Sequence, residues 1–217
     1  MRIMIAFVLS SLALSACVGP PDGPRPRLSG PKQSWPSDKE TKQCVSDLTK
    51  LKAQFTLLPE QDYGGGCSVK GSVQLFSAPV PITAVKAIRC PMAKTLTEWV
   101  REDAQPSAIK RLGSRIVRID SMGGYACRRI IGNAAVSNKM SQHATGNAVD
   151  IGAFVLADGR RVSVKQGWAS ADNDERKFLR DIRAAACKRF TTVLSPDYNA
   201  AHHDHLHFDM GGKAFCR

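Results

Sequence analysis

The placement of the histidines constrains the fold more than any other feature of this sequence. The chain has five histidines, of which one is His143 and the other four fall within residues 202–207. Asp150 follows His143 at a spacing of seven residues, with mostly small side chains between them. Imidazole is the commonest metal-binding side chain, and hydrolytic zinc sites use three protein ligands. We therefore expect the fold to bring His143 and Asp150 next to one of the later histidines.

The later histidines also fit a simpler interpretation. A terminal run of histidines can be a metal-sequestering tail that needs no defined fold. However, Leu206 and Phe208 have the spacing of core residues in a strand, which such a tail would not require. On a strand, His205 and His207 point to the same face. One of them can then bind a metal while the other works beside it.

The N-terminal residues are typical of an export signal. Residues 1–16 combine one positive charge, a short apolar run and a small-residue ending, and they are too short to span a bilayer as a mature helix. The ending Leu14–Cys17 resembles a bacterial lipobox, which implies cleavage before Cys17 and lipid attachment to its sulfur. Val18 rather than Asp follows, so we expect an outer-membrane anchor that faces the periplasm. An ordinary signal peptide is the alternative.

Composition changes after the export signal. Residues 17–36 are rich in proline and poor in apolar side chains, which predicts a lipidated, extended tether. The folded domain is expected over residues 37–217, beginning with a capping box formed by Ser37 and Glu40. The net charge of +12 suits a polyanionic neighbour. The Lys and Arg residues are scattered and match no nucleic-acid-binding motif, so no nucleic-acid partner is expected.

Six cysteines remain after Cys17, and an even number in an exported chain indicates disulfides. None of them has the CxxC spacing of a cysteine zinc site. Many pairings are possible, and we favour the one in which every bridge closes a modest loop. It consists of Cys44–Cys67, Cys90–Cys127 and Cys187–Cys216. Each bridge is expected to contribute about 2–4 kcal/mol.

Hydrophobic periodicity predicts the secondary structure. The predicted helices cover about residues 38–56, 91–103 and 172–187. The predicted strands include short ones around residues 69–75 and others over residues 115–120, 148–156, 161–164, 191–194 and 205–210. Asp158 and Gly159 form a hairpin turn signal. Strands interspersed with segregated helices predict an α+β fold, in which helices pack on a mostly antiparallel sheet.

Two sets of motifs resemble known families. Residues 141–150, with the pattern Ser-x-His-x-x-Gly-x-Ala-x-Asp, and the later His205-x-His207 resemble the LAS metallopeptidases. That superfamily groups lysostaphin-type peptidases, D-alanyl-D-alanine metallopeptidases and hedgehog signalling domains. Residues 90–93, 125–128 and 198–205 resemble the bacterial extensin-like C-terminal domain family over about residues 44–217. The resemblance implies a hedgehog/DD-peptidase-like fold stapled by disulfides.

The resemblance also implies a ligand set and an anion-stabilising residue. His143, Asp150 and His207 match the zinc ligands of the superfamily. Arg128 matches the arginine that steadies the developing oxyanion, with Arg129 as the alternative. A fixed guanidinium suits that role chemically. Ser141 is expected to form a hydrogen bond that supports a ligand.

The resemblance leaves the general base open between two residues. Asp204 lies three residues before His207, where the D-alanyl-D-alanine branch has an acidic base. Its side chain is shorter than the usual glutamate, and on a regular strand it would point away from His205 and His207. It then serves only to orient a histidine unless a bulge re-aims it. His205 is the alternative base, and one of His202 and His203 is expected to lie behind a ligand or to face the substrate.

Together these features predict a zinc-dependent peptidase that cleaves D-amino-acid-containing stem or cross-link peptides of peptidoglycan, with endopeptidase cleavage favoured over carboxypeptidase cleavage. The basic net charge suits this acidic polymer. The first alternative is a catalytically weak peptidoglycan-binding or scaffold lipoprotein of the same fold. The second is a periplasmic metal-binding or sensing protein, which rests on the later histidines alone.

Overall fold

The computed structural model describes residues 38–132 and 134–217. The predicted export signal, Cys17, the proline-rich tether and Ser37 of the capping box lie outside the described residues. Within them, no helix combines the length and the apolar character that crossing a membrane requires.

The first helix, α1 (Asp38–Lys50), ends earlier than the sequence predicts. Lys52 has a left-handed backbone with a φ of 59°, which a continuing helix does not tolerate. The chain then turns into strand β1 (Gln54–Leu57). The hairpin β2 (Gln61–Gly64) and β3 (Cys67–Val69) follows, and then β4 (Ser72–Ser77) and β5 (Ile88–Arg89). β1, β4 and β5 form an antiparallel three-stranded sheet in the order β1-β4-β5.

The second predicted helix is longer than the sequence indicates. It continues as α2 (Cys90–Trp99), a π-helical turn (Val100–Ala104) and α3 (Gln105–Leu112). Pro106 lacks an N–H and would clash with the carbonyl of Glu102 in a regular α-helix. The wider π turn just before Pro106 accommodates it without ending the helix. The run ends at Gly113, whose φ is 66°.

The main sheet has six strands. They are β6 (Ile116–Gly123), β7 (Ala148–Leu156), β8 (Arg161–Ser163), β9 (Thr192–Leu194), β10 (Leu206–Asp209) and β11 (Phe215–Cys216). The order is β11-β9-β10-β7-β6, and β8 also pairs with β7. Only the β11–β9 pair of this sheet is parallel. A short helix, α4 (Val164–Gly167), and the longer α5 (Asn173–Ala186) connect β8 to β9.

Helices α2 and α5 cover one face of the main sheet and form the core with it. The ring of Trp99 on α2 lies 5.0 Å from that of Phe208 on β10. The ring of Phe178 on α5 lies 5.3 Å from that of Phe154 on β7. All four rings are fully buried. The predicted α+β class with mostly antiparallel sheets and packed helices is therefore confirmed.

Three disulfides are present among the described residues, and two of the three predicted pairings are wrong. Cys187–Cys216 is confirmed. The others are Cys44–Cys90 and Cys67–Cys127, with sequence separations of 46 and 60 residues. Tertiary packing sets these pairs. Helix α1 lies against α2, and β3 lies against the turn Gln142–Thr145. Ala126, next to Cys127, donates its backbone N–H to the carbonyl of His143 in that turn. Loop length alone could not indicate either contact.

Candidate metal centre

His143 lies in a short 3-10 turn, Gln142–Thr145, that is held at both ends. Ser141 caps its start, because the Ser141 hydroxyl accepts a hydrogen bond from the backbone N–H of His143 at 3.3 Å. Gly146, with a φ of 65°, ends the turn in the left-handed conformation that glycine adopts at no steric cost. The predicted supporting role of Ser141 thus takes the form of a cap on the turn that presents His143.

Asp150 and His207 are presented by the two central strands of the main sheet. They stand directly opposite each other in the register of β7 and β10. Their chain neighbours Val149, Leu206 and Phe208 belong to the core. Since side chains alternate along a strand, Asp150 and His207 point to the opposite face, where His143 lies.

Polar atoms of three side chains converge on this face. The Nδ1 atom of His207 lies 2.8 Å from Oδ1 of Asp150. The Nε2 atom of His143 lies 3.2 Å from Oδ2 of Asp150 and 3.2 Å from Nδ1 of His207. All three side chains are buried. The structure therefore brings together the three residues predicted as metal ligands.

The tautomer of His143 follows from its second nitrogen. Nδ1 of His143 lies 2.5 Å from the carbonyl oxygen of Gly124. A carbonyl accepts a hydrogen bond, so Nδ1 carries the proton and Nε2 turns a lone pair towards Asp150 and His207. Gly124 is required there, because a Cβ atom would lie 2.6 Å from the carbonyl oxygen of Ala87. The close approach of these two backbones places the carbonyl that orients His143.

The charges of Asp150 and His207 depend strongly on each other and on their neighbours. Burial alone would raise the pKa of Asp150, but the imidazoles of His143 and His207 beside its carboxylate outweigh burial and hold that pKa well below its usual range. Burial would lower the pKa of His207, but hydrogen bonds to Asp150 and Asp209 raise it to about 9. The carboxylates thus keep a positive charge on His207 when no other cation lies between the three donors.

The three donors fit a metal ion. Measured to whichever Asp150 oxygen is nearer, the atoms of the three side chains lie 2.8 to 3.2 Å apart. This is close to the edge of about 3.3 Å that follows for a tetrahedron with bonds of about 2.0–2.1 Å. A neutral His207 would direct a lone pair at the same point as His143 and Asp150. When lone pairs of three side chains point at one place, a cation or a proton must lie between them. His143, Asp150 and His207 could therefore hold a metal ion.

Asp204 and His205 form a pair beside this group. Oδ1 of Asp204 lies 2.8 Å from Nδ1 of His205, and this hydrogen bond lowers the pKa of Asp204. Nε2 of His205 lies 3.7 Å from Oδ1 of Asp150. Asp204 thus contacts the ring of its chain neighbour, and His205 is the member of the pair that lies next to Asp150.

His202 and His203 differ in their positions. The ring of His202 lies 5.1 Å from that of His205 and 5.9 Å from that of His207. Nδ1 of His202 lies 2.7 Å from Oδ1 of Asn199. Burial, together with the nearby His207 and His205, lowers the pKa of His202 to about 4, so its ring is neutral at pH 7. His203 is mostly exposed and binds the carbonyl oxygen of Ala200.

Arg128 lies on the wall of a cavity of about 250 Å³ that His202 and His207 also line. The rest of the wall is mainly apolar and includes Ile130, Ile131, Val136, Met140, Leu194, Tyr198 and Phe215. Arg129 does not line this cavity. Of the two arginines considered from the sequence, Arg128 is the one that lines the cavity beside His207.

Comparison with protein families gives a match over most of the chain. The model of the family described as extensin-like protein C-terminus matches residues 42–217. The chain belongs to the extensin-like C-terminus family. Comparison with curated proteins and with solved structures gave no match. Placement of this extensin-like chain in the LAS superfamily, with its hedgehog/DD-peptidase-like fold, stays a prediction.

One contact of the extensin-like domain was not predicted. Asp209 lies two residues after His207 on β10, and its Oδ2 atom lies 2.9 Å from Nε2 of His207. The signal was present in the sequence, because His205, His207 and Asp209 alternate with Leu206 and Phe208. Extending that alternation by one step places Asp209 on the face that carries Asp150 and His207.

Proposed function

We propose that this extensin-like domain is a zinc-dependent peptidase. Its substrates are stem or cross-link peptides of peptidoglycan that contain D-amino acids, with endopeptidase cleavage favoured over carboxypeptidase cleavage. The observation that carries the proposal is the convergence of His143 Nε2, the Asp150 carboxylate and His207 Nδ1 at 2.8 to 3.2 Å. The pair formed by Asp204 and His205 adjoins these donors.

Zinc suits this donor set. Two imidazoles and one carboxylate, with a position left for water, form a common ligand set of hydrolytic zinc sites. His143, Asp150 and His207 would hold the ion. When bound, zinc lowers the pKa of a water molecule towards neutral and polarises a carbonyl group.

His205 is proposed as the general base. Asp204 holds Nδ1 of His205 at 2.8 Å, which places the proton there and the lone pair on Nε2. That lone pair lies on the side of Asp150, 3.7 Å from its Oδ1. His205 can therefore take a proton from the attacking water and pass it to the leaving amine. Asp204 orients the ring, which is the second of the two roles that the sequence left open for it.

Arg128 is proposed to stabilise the developing oxyanion. It lines the same cavity as His202 and His207, and a guanidinium presents several N–H donors in a fixed plane. Such donors stabilise charge that develops during acyl transfer. The apolar part of the cavity wall would exclude bulk water, apart from the attacking water molecule, from the reacting amide.

We place the enzyme in the periplasm, anchored to the outer membrane by a lipid on Cys17. The lipobox-like ending of residues 14–17 supports this location. The disulfides Cys44–Cys90, Cys67–Cys127 and Cys187–Cys216 suit an oxidising compartment. Peptidoglycan is then the nearest peptide polymer, and its carboxylates complement the net charge of +12.

The proposal predicts cleavage that depends on the metal. Purified full-length protein is incubated with defined cross-linked and uncross-linked muropeptides, and the products are identified by mass spectrometry. We expect a cleaved stem or cross-link peptide that disappears on chelation and returns when zinc is added. Asp150→Asn should give no product, because it removes the charged ligand. The matched control Asp158→Asn, in the exposed hairpin turn, should cleave like the wild type.

Two outcomes would count against this function. If no muropeptide is cleaved in a metal-dependent manner, the peptidase proposal fails. If the protein also binds intact sacculi, and if this binding survives chelation and His207→Ala, a peptidoglycan-binding scaffold takes its place.

A further inference from the structure

We infer that Asp209 is a positioning residue for the metal ligand His207. Its carboxylate holds a proton on Nε2 of His207 and so leaves Nδ1 free for a cation. The inference rests on the metal-binding part of the proposed function and is independent of peptide cleavage.

Asp209 is a buried carboxylate with few partners. It is the last residue of β10, where it stands between Ala148 on β7 and Thr192 on β9. Only 6% of its surface is exposed, and a buried charge is unfavourable unless it is paired and hydrogen-bonded. Oδ1 accepts a hydrogen bond from the backbone N–H of Gly211 at 2.9 Å. Among the residues that the structure describes, His207 is the only side chain that forms an ion pair with Asp209.

Two carboxylates compete for the N–H group of His207. Asp150 lies 2.8 Å from Nδ1, and Asp209 lies 2.9 Å from Nε2. A neutral imidazole carries one proton and can place it on either nitrogen. A proton on Nδ1 would occupy the direction in which the lone pairs of His143 and Asp150 converge. Asp209 disfavours this tautomer. When the proton is on Nε2, the carboxylate of Asp209 accepts a hydrogen bond from it. When the proton is on Nδ1, the carboxylate faces the lone pair of Nε2 instead.

The backbone fixes this contact. His207 and Asp209 are two residues apart on one strand, so they lie on the same face at a separation that the strand sets. β10 is hydrogen-bonded on both sides, to β7 and to β9. The contact with Gly211 also orients the plane of the carboxylate. A carboxylate in this position fixes the ring of a ligating histidine and increases its basicity.

The test measures metal affinity and the position of the proton. Full-length Asp209→Asn keeps the shape of the side chain and an oxygen for the N–H of Gly211, but loses the charge. Zinc affinity is measured by competition with a chromophoric chelator at a pH where ¹⁵N shifts show that the His207 ring of the metal-free protein is neutral. We expect affinity to fall by about 10–100-fold, as is typical when the carboxylate behind a histidine ligand is removed.

A matched control separates this effect from a general loss of negative charge. Asp181→Asn also removes a carboxylate that pairs with a cation, since Asp181 lies 2.7 Å from Arg111 on the surface. We expect this variant to bind zinc like the wild type. In ¹⁵N spectra of the metal-free proteins at the same pH, the wild type and Asp181→Asn should carry the proton of His207 on Nε2. In Asp209→Asn the proton should move towards Nδ1.

The inference is overturned if Asp209→Asn binds zinc as tightly as the wild type. It is also overturned if the wild-type ring carries its proton on Nδ1, and this measurement needs no variant and so remains decisive even if Asp209→Asn does not fold. Muropeptide cleavage is not measured in either experiment. Failure of the peptidase proposal would therefore leave this test unaffected, and failure of this test would leave cleavage to be judged separately.

Discussion

The paired strands β7 and β10 have two faces that are both buried but differ in chemistry. One face carries four apolar residues of the core, Val149, Ile151, Leu206 and Phe208. The other face carries three ionisable residues, Asp150, His207 and Asp209. The same two stretches of backbone thus support a hydrophobic core on one side and a possible metal centre on the other.

The two faces are held together by different forces. Contacts on the apolar face are non-directional and depend mainly on volume and area, so similar side chains can replace one another. Contacts on the ionisable face depend on partners, because removal of one member leaves a buried charge without compensation. We therefore expect the apolar face to determine stability in every condition. The ionisable face should make stability depend on metal and on pH.

The largest expected effect is on the apolar face. Phe208→Ala removes a ring that stacks on Phe190 at 4.8 Å and contacts Trp99 at 5.0 Å. We expect the free energy of unfolding to fall by about 3–5 kcal/mol, as measured by denaturant titration of the metal-free protein. Ile151→Val on the same face should lower it by only about 0.5–1.5 kcal/mol. Similar losses for both variants would contradict a face that is governed by packed volume.

The second-largest expected effect is the stabilisation of the protein by zinc, which should depend on the ionisable face and not on the apolar face. Zinc at 100 times its dissociation constant should raise the free energy of unfolding by about 2.7 kcal/mol, since it binds the folded state. The same addition should stabilise Ile151→Val equally. Asp150→Asn should gain nothing, because it lacks the charged ligand. A gain that persists in Asp150→Asn would place the metal elsewhere.

The smallest expected effect is the change in the free energy of unfolding with pH, which should come from the ionisable face. The pKa of His207 is raised to about 9, above about 6.5 for an unfolded histidine. Protonated His207 therefore stabilises the metal-free protein fully below pH 6.5, and this contribution is lost as the pH rises through 9. We expect a loss on the order of 1–3 kcal/mol between these values, measured by denaturant titration in chelator.

Two variants test whether that pH dependence comes from the ionisable face. Ile151→Val should show the same loss as the wild type between pH 6.5 and 9, since its change lies in the core. His207→Gln should show a smaller loss, because the ionising group is gone. An equal loss in His207→Gln would assign the pH dependence to another group.

Local sequence patterns predicted the strands whose ends are marked by residues close to them in the sequence. β7 was predicted over residues 148–156 and has these bounds, because an apolar β-branched run ends at the hairpin turn of Asp158 and Gly159. The last strand was predicted over residues 205–210 and spans Leu206–Asp209. These strands carry two of the three predicted ligands, Asp150 and His207. The resemblance to the LAS motif supplied His143 and selected His207 among the later histidines.

Features that depend on tertiary contacts could not be predicted. Helix α1 stops at Lys50 although its apolar spacing continues to Phe55, because the chain turns to pair β1 with β4. The partners of Cys44 and Cys67 depend on which elements pack together. The direction of the Asp204 side chain depends on a hydrogen bond to His205 that a regular strand would not form.

The position of β10 in the sheet has a kinetic consequence. Strand β10 is synthesised after β7 and β9, yet it lies between them in the sheet. Until residues 206–209 are inserted, the facing edges of β7 and β9 are unpaired and open to association with other chains. Such long-range pairing is slow. His207 joins His143 and Asp150 only at this step, so an ion that needs all three side chains could be held only after β10 is in place.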